Sequence, residues 1–210
     1  MQGGHTLYTI GGDVPQRGVG FLVHRKVKDK IIKFEGLNDR VASLTMKVNN
    51  QYQMQIVQVY APTTTHSDEE VEEFYEDITS VMERNKSFYK IIMGDFNAKV
   101  GRHEQGDGKT TGEQGLGERN ERGERLVQFA TSKNLKITNT YFEKKSSRKW
   151  TWRSPNGETK NQIDFIMTNK KDINHIILNT EVIQRLNTGS DHRLVRSTIR
   201  TNHRLERSKM

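Results

Sequence analysis

The 210-residue sequence contains no cysteine, which excludes disulfide bonds, thiolate zinc ligands and thiol catalysis and favours a reducing intracellular compartment. Long apolar runs are also missing, since none approaches the roughly 20 residues that cross a bilayer. The opening residues, MQGGHTLYTIGG, lack the basic start and the apolar middle of a signal peptide. We therefore expect an intracellular protein that has no membrane partner.

Two common catalytic motifs are absent as well. The sequence has no HExxH, and its seven histidines are too scattered to predict a zinc site. The segment GDGKT, residues 106–110, is similar to the end of a phosphate-binding P-loop, but His103 stands where that motif requires glycine. The sequence therefore predicts neither a zinc site nor a P-loop.

Positive charge is what the sequence has in excess. The 34 Lys and Arg residues outnumber the 26 Asp and Glu residues and give a net charge of +8. Such a surplus favours polyanionic partners, either nucleic acid or an anionic membrane surface. An ordinary basic protein has the same balance, so charge alone leaves the partner open.

Strand and helix patterns alternate along the sequence without internal repeats or an obvious linker, which predicts one α/β sandwich. A helix is expected at 67–84, where Ser67 and Glu70 form a capping box and the apolar residues follow one stripe. A second helix is expected at 121–133, and Asn134 suits the left-handed position after its end. A glycine-rich, charged loop is expected at 101–117. Residues 1–200 then form the domain, and 201–210 form a basic tail. Strands are expected at 19–25, 41–48, 51–60, 90–97, 135–142, 149–154, 161–169, 175–183 and 193–200.

A short apolar run, Ile91 to Met93, leads through Gly94 into Asp95 and Asn97. This order places the carboxylate at or just past the carboxyl end of a buried strand, where α/β proteins gather polar groups on a rigid platform. The same letters, GDFN, are typical of a simple turn, and a turn is the alternative for this segment taken alone.

A second carboxylate, Asp164, stands between apolar residues in the predicted strand 161–169. Burial of an unpaired carboxylate is costly, so this position requires a partner. His192 is the candidate, because it follows Asp191 in a loop just before the final apolar strand. A lone histidine is more often structural, but a buried aspartate and a histidine at a strand end complement each other.

Tyr60 ends the predicted strand 51–60, and by itself it would be interpreted as core or rim packing. It completes a set of polar residues at strand ends, which we expect to share one rim: Tyr60, Asp95, Asn97, Asp164, Asp191 and His192. Such a set suits phosphodiester cleavage, which uses a divalent cation on oxygen ligands, an oriented water and donors for the charge that develops on phosphate.

Six motifs, in this order along the chain, resemble the endonuclease/exonuclease/phosphatase superfamily, which shares the DNase I fold: GVGFLVHR, VQVYAP, IIMGDFNAKVG, TWRSP, QIDFIM and GSDHRLV. More narrowly, GERNERGERLVQFATSKNLKITNTYF and KWTWRSPNGETKNQIDFIM are similar to endonuclease domains of non-LTR retrotransposons, especially the RTE clade. The resemblance covers residues 18–200.

The resemblance implies a four-layered α/β sandwich of two mainly antiparallel sheets flanked by helices. It also implies a nuclease that nicks DNA with Mg²⁺, or with Mn²⁺ in its place. By resemblance, Asp95 would orient or deprotonate the attacking water, and Asn97 would position that water and the phosphate. Tyr60 would contact the phosphate near the leaving group, and Asp164 would orient His192, which stabilises the transition state.

Three further residues take roles from the resemblance alone. Asp191 would contribute to metal binding or to protonation of the leaving group. Thr151 and Trp152 match positions that line the DNA-facing rim, although strand packing explains them equally well. A DNA-nicking enzyme of this kind would act in the nucleus.

The sequence departs from the family pattern at its start. That pattern opens with a strand carrying an Asn of the metal site and a second strand ending in the Glu that is the main metal ligand; neither precedes GGHTLYTIGG, and Glu35 is expected in a loop. We therefore expect an amino-terminally truncated domain that lacks its first strands and has impaired activity. Two alternatives stay open: a non-catalytic remnant that binds nucleic acid, and a phosphatase that acts on a phosphoinositide or another small phosphoester.

Overall fold

The computed structural model describes residues 4–13, 17–169, 176–186 and 188–200. Strands and helices alternate through these ranges, which confirms the predicted α/β class. Contacts divide the chain into two compact units, Met1–Asn97 and Ala98–Met210. The predicted basic tail, 201–210, lies outside the described residues. Within the described ranges, no helix is long and apolar enough to cross a bilayer.

The first unit contains a strand pair, part of the main sheet and one helix. β1 and β2 are antiparallel, and the strands of this unit follow the order β3, β4, β5, β6 in the main sheet. β5 is antiparallel to β4 and parallel to β6. The bounds are β1 Thr6–Ile10, β2 Val19–Val23, β3 Ile31–Gly36, β4 Val41–Lys47, β5 Gln53–Tyr60, α1 Asp68–Glu83 and β6 Tyr89–Asp95.

The predicted loop position of Glu35 is wrong, because Glu35 lies in β3 opposite Ser43 of β4. Pairing with β4 extends the strand up to Gly36. The Glu35 carboxylate accepts a hydrogen bond from Lys33 Nζ (2.6 Å) on the exposed part of the strand.

Both faces of β4 are covered, although its residues alternate between polar and apolar. The apolar face packs on β2 in one core cluster, made of Val19, Phe21, Val23, Ala42 and Leu44. The polar face lies toward α1, where Asn85 Nδ2 donates to Thr45 Oγ1 (2.8 Å) and Gln55 Nε2 donates to Val81 O (2.9 Å). The helix therefore covers the sheet, as its apolar stripe predicted.

The helix α1 begins as the sequence predicted. Ser67 Oγ accepts from Glu70 N, and Glu70 Oε2 accepts from Ser67 N, each at 3.3 Å, which completes the capping box. The predicted stripe is buried along its whole length: Val71, Phe74, Tyr75, Ile78, Val81 and Met82.

The second unit contains one long helix and short strands. β10 pairs with β7, β11 pairs with β12, and β8 pairs with β9, each in the antiparallel direction. The helix α2 ends before Asn134, which takes the predicted left-handed conformation at φ 52°. The bounds are α2 Glu121–Ser132, β7 Lys136–Ile137, β8 Trp152–Arg153, β9 Lys160–Asn161, β10 Asp164–Thr168, β11 Ile177–Val182 and β12 Val195–Ile199.

The strand predicted at 135–142 is shorter than expected. It ends with β7, and a 3₁₀ turn at Thr138–Thr140 follows. The reason lies in two side chains that replace backbone partners of β10: Thr138 Oγ1 donates to Ile166 O (2.8 Å), and Asn139 Oδ1 accepts from Ile166 N (2.9 Å). Polar side chains therefore continue the hydrogen bonding where the backbone leaves the ladder.

The glycine-rich loop predicted at 101–117 is closed by a buried ion pair. Arg119 donates to both carboxylate oxygens of Asp107, with Nη1 at 2.8 Å from Oδ1. The two side chains are 6% and 3% exposed. Thr111 Oγ1 donates to Asp107 Oδ2 (2.6 Å), and Arg119 Nε donates to Val100 O (2.8 Å). The loop therefore depends on one bidentate pair.

Replacement of Arg119 by Ala should destabilise the protein by about 3 to 5 kcal/mol, because it leaves the Asp107 carboxylate buried without its counterion. Urea unfolding followed by tryptophan fluorescence measures the change. Arg102→Ala, at an exposed position of the same loop, is the matched control. Equal midpoints for the two variants would contradict this account of the loop.

Burial raises the pKa of Asp107, but hydrogen bonds from Arg119, Thr111 and Glu104 N outweigh it and hold the pKa below its usual value. The contribution of the Asp107–Arg119 pair to the free energy of unfolding is therefore fully present above the ordinary pKa of an aspartate. It is lost as the pH falls through the lowered pKa of Asp107 in the folded protein. The difference in free energy of unfolding between the native chain and Arg119→Ala should therefore narrow as the pH falls through the lowered pKa of Asp107, and urea unfolding at several pH values measures it.

Candidate active site

Three of the predicted site residues lie together in the first unit, where the parallel strands β5 and β6 end at the same level. Tyr60 and Asp95 are opposite each other in the register, and Ala61 N donates to Asp95 O (2.8 Å) just beyond them. Tyr60, Asp95 and Asn97 are half-buried, whereas Phe96 is only 2% exposed and anchors the segment in the core. Apolar and polar residues thus alternate through GDFN.

Asn97 ties the ends of the two strands together. Its backbone N–H donates to Asp95 Oδ1 (2.9 Å), and its Nδ2 donates to Ala61 O (2.9 Å). The residue takes the left-handed conformation at φ 48°, which asparagine tolerates better than most residues. The turn predicted as the alternative for GDFN is therefore present, and it holds the Asp95 carboxylate at the strand end.

Gly94 allows β6 to approach β5 at this point. Its φ is 149°, and a Cβ added there would lie 1.9 Å from Val59 O. No side chain fits at that distance, so glycine is required next to the carboxylate.

The second group of predicted residues lies in the second unit. His192 Nδ1 lies 3.0 Å from Asp164 Oδ2 and 3.2 Å from Asp164 Oδ1. Asp164 is the first residue of β10, and His192 forms an isolated antiparallel bridge with Trp152. The pairing expected from the sequence between the buried aspartate and the histidine is therefore present.

Backbone hydrogen bonds hold His192 in place from both sides. Arg193 N donates to Thr151 O (2.7 Å), and Arg153 N donates to Asp191 O (3.0 Å). The Asp191 carboxylate accepts a hydrogen bond from Trp152 Nε1 (2.9 Å). The segment 191–193 thus lies antiparallel to β8, with His192 in the bridge.

Thr151 was predicted to line a DNA-facing rim, but its side chain is fully buried. Its Oγ1 accepts hydrogen bonds from Ile163 N (3.0 Å) and Asp164 N (3.1 Å), which explains the burial. One threonine therefore contacts both segments of the pair, since its carbonyl accepts from Arg193 and its hydroxyl accepts from Asp164. Trp152, the other residue of that prediction, is half-buried.

Sequence reasoning missed Asn139. Its Nδ2 donates to Asp164 O (3.0 Å), so that its carboxamide fixes the backbone at both Asp164 and Ile166. The available signal was an asparagine between two threonines, TNT, inside a segment interpreted as a plain strand. Polar residues that interrupt a strand pattern often bond to the backbone.

A sequence profile for the family described as endonuclease-reverse transcriptase matches residues 54–196, more than half of the chain. The chain belongs to the endonuclease/exonuclease/phosphatase superfamily. The matched range includes all six residues expected from the sequence to share one rim.

Curated relatives of this superfamily member include craniofacial development protein 2 from Bos taurus and from Tragulus javanicus. Each is 36% identical over 193 residues, which is 91% of this chain. The chain spans about a third of their length, 32% and 33%.

Solved structures of the superfamily share the fold at low sequence identity. The catalytic domain of Xenopus laevis APE2 has a TM-score of 0.68 and 17% identity, over 93% of this chain and 76% of that one. A family protein from Leptotrichia buccalis has a TM-score of 0.64 and 17% identity, over 96% and 74%. The endonuclease domain of the telomere-specific retrotransposon TRAS1 has a TM-score of 0.61 and 14% identity, over 93% and 80%. The chain therefore has the DNase I-like α/β fold.

Nucleases of this superfamily generally use divalent metal ions. Among the residues that the structure describes, no three His, Asp or Glu side chains are grouped closely enough to hold one. The carboxylate of Asp164 already faces His192, and that of Asp191 accepts from Trp152.

Replacement of Thr151 by Val should destabilise the second unit by about 2 kcal/mol or more, because two backbone N–H groups lose their acceptor. Thr151→Ser retains the hydroxyl and should recover most of the loss. Urea unfolding measures both variants, and Thr64→Val, at an exposed position, is the control. A Val variant as stable as the Ser variant would show that the hydroxyl contributes nothing.

Proposed function

We propose that the chain is a hydrolase domain that nicks DNA, of the type found in retrotransposon endonucleases. The observation that carries this proposal is the contact between His192 Nδ1 and the Asp164 carboxylate at 3.0 Å. With Nδ1 directed at the carboxylate, the protonated imidazole would donate from Nε2 to a phosphate oxygen of the substrate. A donor held in this way can stabilise charge that develops on a phosphate oxygen.

The residues of the first unit supply the remaining roles in the proposed reaction. Asp95 orients or deprotonates the attacking water, and Asn97, whose backbone N–H and Nδ2 are used locally, positions water and phosphate through its oxygen. Tyr60 contacts the phosphate near the leaving group. Support comes from the pairing of Tyr60 with Asp95 in the register, from the contacts of Asn97 with Asp95 and Ala61, and from the family match over 54–196.

In the second unit, Asp164 orients His192, and Asp191 assists protonation of the leaving group or contributes to metal binding. Trp152 fixes the Asp191 carboxylate through Nε1 and is proposed to border the nucleic acid. The proposal requires both groups of residues to serve one reaction. Its site of action would be the nucleus.

We further propose that hydrolysis needs added Mg²⁺, or Mn²⁺ in its place, and that the isolated chain is a weak enzyme. The absence of three grouped acidic or histidine side chains among the described residues supports weak metal binding, since a hard cation depends on each of its oxygen ligands. Activity should therefore increase with metal concentration into the millimolar range and disappear with a chelator.

The absence of three grouped acidic or histidine side chains among the described residues also favours a second function, in which the chain binds nucleic acid without cutting it. A net charge of +8 supplies the electrostatic attraction for such binding. In that case binding should weaken steeply with salt while cleavage stays undetectable at every metal concentration. Nicking by the chain with saturating Mn²⁺ would exclude this reading.

Phosphatase activity on a small phosphoester is the third candidate. Two structural neighbours are named for such reactions, the 3′ phosphatase NExo from Neisseria and the inositol polyphosphate 5-phosphatase domain of synaptojanin. Their likeness at 13% identity shows the fold alone. A panel of plasmid DNA, 3′-phosphorylated oligonucleotide and inositol phosphates separates the candidates.

Nicking of supercoiled plasmid tests the leading proposal. Asp95→Ala and His192→Ala should each lower the nicking rate by roughly 10²-fold or more, because each removes a group that acts on water or on the transition state. Asp29→Ala, an exposed carboxylate of the first unit, should leave the rate unchanged. Equal rates for all three variants would overturn the assigned roles.

A further inference from the structure

Tryptophan contacts hold the residues on both sides of His192 in the second unit. Before the histidine, the Asp191 carboxylate accepts a hydrogen bond from Trp152 Nε1 (2.9 Å). After it, the guanidinium carbon of Arg193 lies 3.3 Å from the centre of the Trp150 ring, a distance that places the planar group directly on the face of the indole. Trp150 is only 8% exposed, so its ring is a fixed surface. The side chains that flank the histidine are therefore both anchored.

The arginine occupies this position at an energetic cost. Arg193 Nη1 is buried, and within the described ranges of the chain it has no hydrogen-bond partner. Burial and the nearby charge of Arg153 lower the pKa of Arg193, and a second cation, Lys160 Nζ, lies 5.3 Å from the centre of the same indole ring. A buried polar group without a partner destabilises the folded state. Stability alone therefore does not explain an arginine at this position.

The backbone of the segment 191–193 has few other supports. Two hydrogen bonds join it to the β8 region, and the residues before the histidine, 188–191, are exposed. The contact of His192 Nδ1 with the Asp164 carboxylate joins two separate segments, so its geometry depends on where the backbone of 191–193 lies. A misplacement of about 1 Å can cost roughly 10²-fold in the rate of an enzyme. An anchor beside the histidine therefore has a direct effect on the proposed chemistry.

We propose that Arg193 is a positioning residue, whose stack on Trp150 holds the segment 191–193 so that the His192 imidazole stays against Asp164. This inference rests on the proposed function, and it adds to that function a residue that acts only through the histidine. The competing role for Arg193 is a direct contact with the substrate, and binding measurements separate the two roles.

The first measurements need no substrate. Arg193→Met removes the guanidinium and leaves an unbranched side chain that packs well on an aromatic ring. Urea unfolding should find this variant at least as stable as the native chain, because the buried Nη1 is gone. NMR of the ¹⁵N-labelled full chain, assigned with His192→Gln, reports the His192 tautomer at a pH well above the ordinary pKa of histidine.

The native chain should hold one tautomer of His192, with the proton on Nδ1, since that atom faces the Asp164 carboxylate. In Arg193→Met, the ¹⁵N shifts of the two ring nitrogens should move toward each other, because a histidine that is no longer held samples both tautomers. Arg193→Lys keeps a cation near the indole and should restore part of the native pattern.

Nicking and binding are then measured on the same variants. Arg193→Met should lower the single-turnover nicking rate of plasmid by about 10- to 100-fold. Its affinity for a duplex oligonucleotide in EDTA should equal that of Arg102→Met, the charge-matched control at an exposed position, which should nick at the native rate. A slope of log affinity against log salt that falls by about 0.9 in Arg193→Met alone would assign Arg193 to a substrate phosphate and overturn the positioning role.

Two further results would overturn the proposal. One is a His192 tautomer that is unchanged in Arg193→Met, and the other is a loss of stability in that variant that accounts for its loss of rate. The outcome is distinguishable from the fate of the proposed function. A tautomer change in a chain that never nicks plasmid supports the positioning role and overturns the endonuclease. Nicking at the native rate by Arg193→Met with an unchanged tautomer supports the endonuclease and overturns the positioning role.

Discussion

The contact between the Asp164 carboxylate and the His192 imidazole is the interaction on which the functional account depends. Regular backbone pairing positions both residues, because Asp164 is the first residue of β10 and His192 forms a bridge with Trp152. Thr151 links the two segments, accepting from Asp164 N with its hydroxyl and from Arg193 N with its carbonyl. A histidine fixed at one nitrogen presents the other in a defined direction, and that preorganisation is what stabilisation of a phosphorane-like transition state requires.

In the first unit, contacts at the ends of β5 and β6 hold Asp95 in place. Asn97 uses its backbone N–H on Asp95 and its Nδ2 on Ala61 O, so a single residue in a left-handed conformation closes the ends of two parallel strands. Gly94 allows that approach because a side chain there would overlap Val59 O. In both units, short polar side chains bonded to backbone groups hold the residues that we propose to act on the substrate, while the apolar strands behind them supply rigidity.

Local patterns in the sequence predicted much of this fold for clear physical reasons. The capping box at Ser67, the apolar stripe of α1 and the left-handed Asn134 depend on neighbouring residues alone, and all three are present. The pairing of Asp164 with His192 was also predictable, since a carboxylate among apolar residues needs a partner. The errors lie where distant segments decide the outcome. Glu35 joins a strand because β4 pairs with it, residues 138–140 leave the ladder because their side chains bond to β10, and the burial of Thr151 depends on Ile163 and Asp164.

We propose that Asp95 of the first unit and His192 of the second act on one scissile phosphate. Nicking kinetics of the double variant Asp95→Ala with His192→Ala, compared with each single variant, test it most directly. Groups that serve the same step are strongly non-additive, so the double variant should lose little more activity than the more damaged single variant. A loss equal to the product of the two single losses would mean that the residues act independently, and the account of a shared reaction would be wrong.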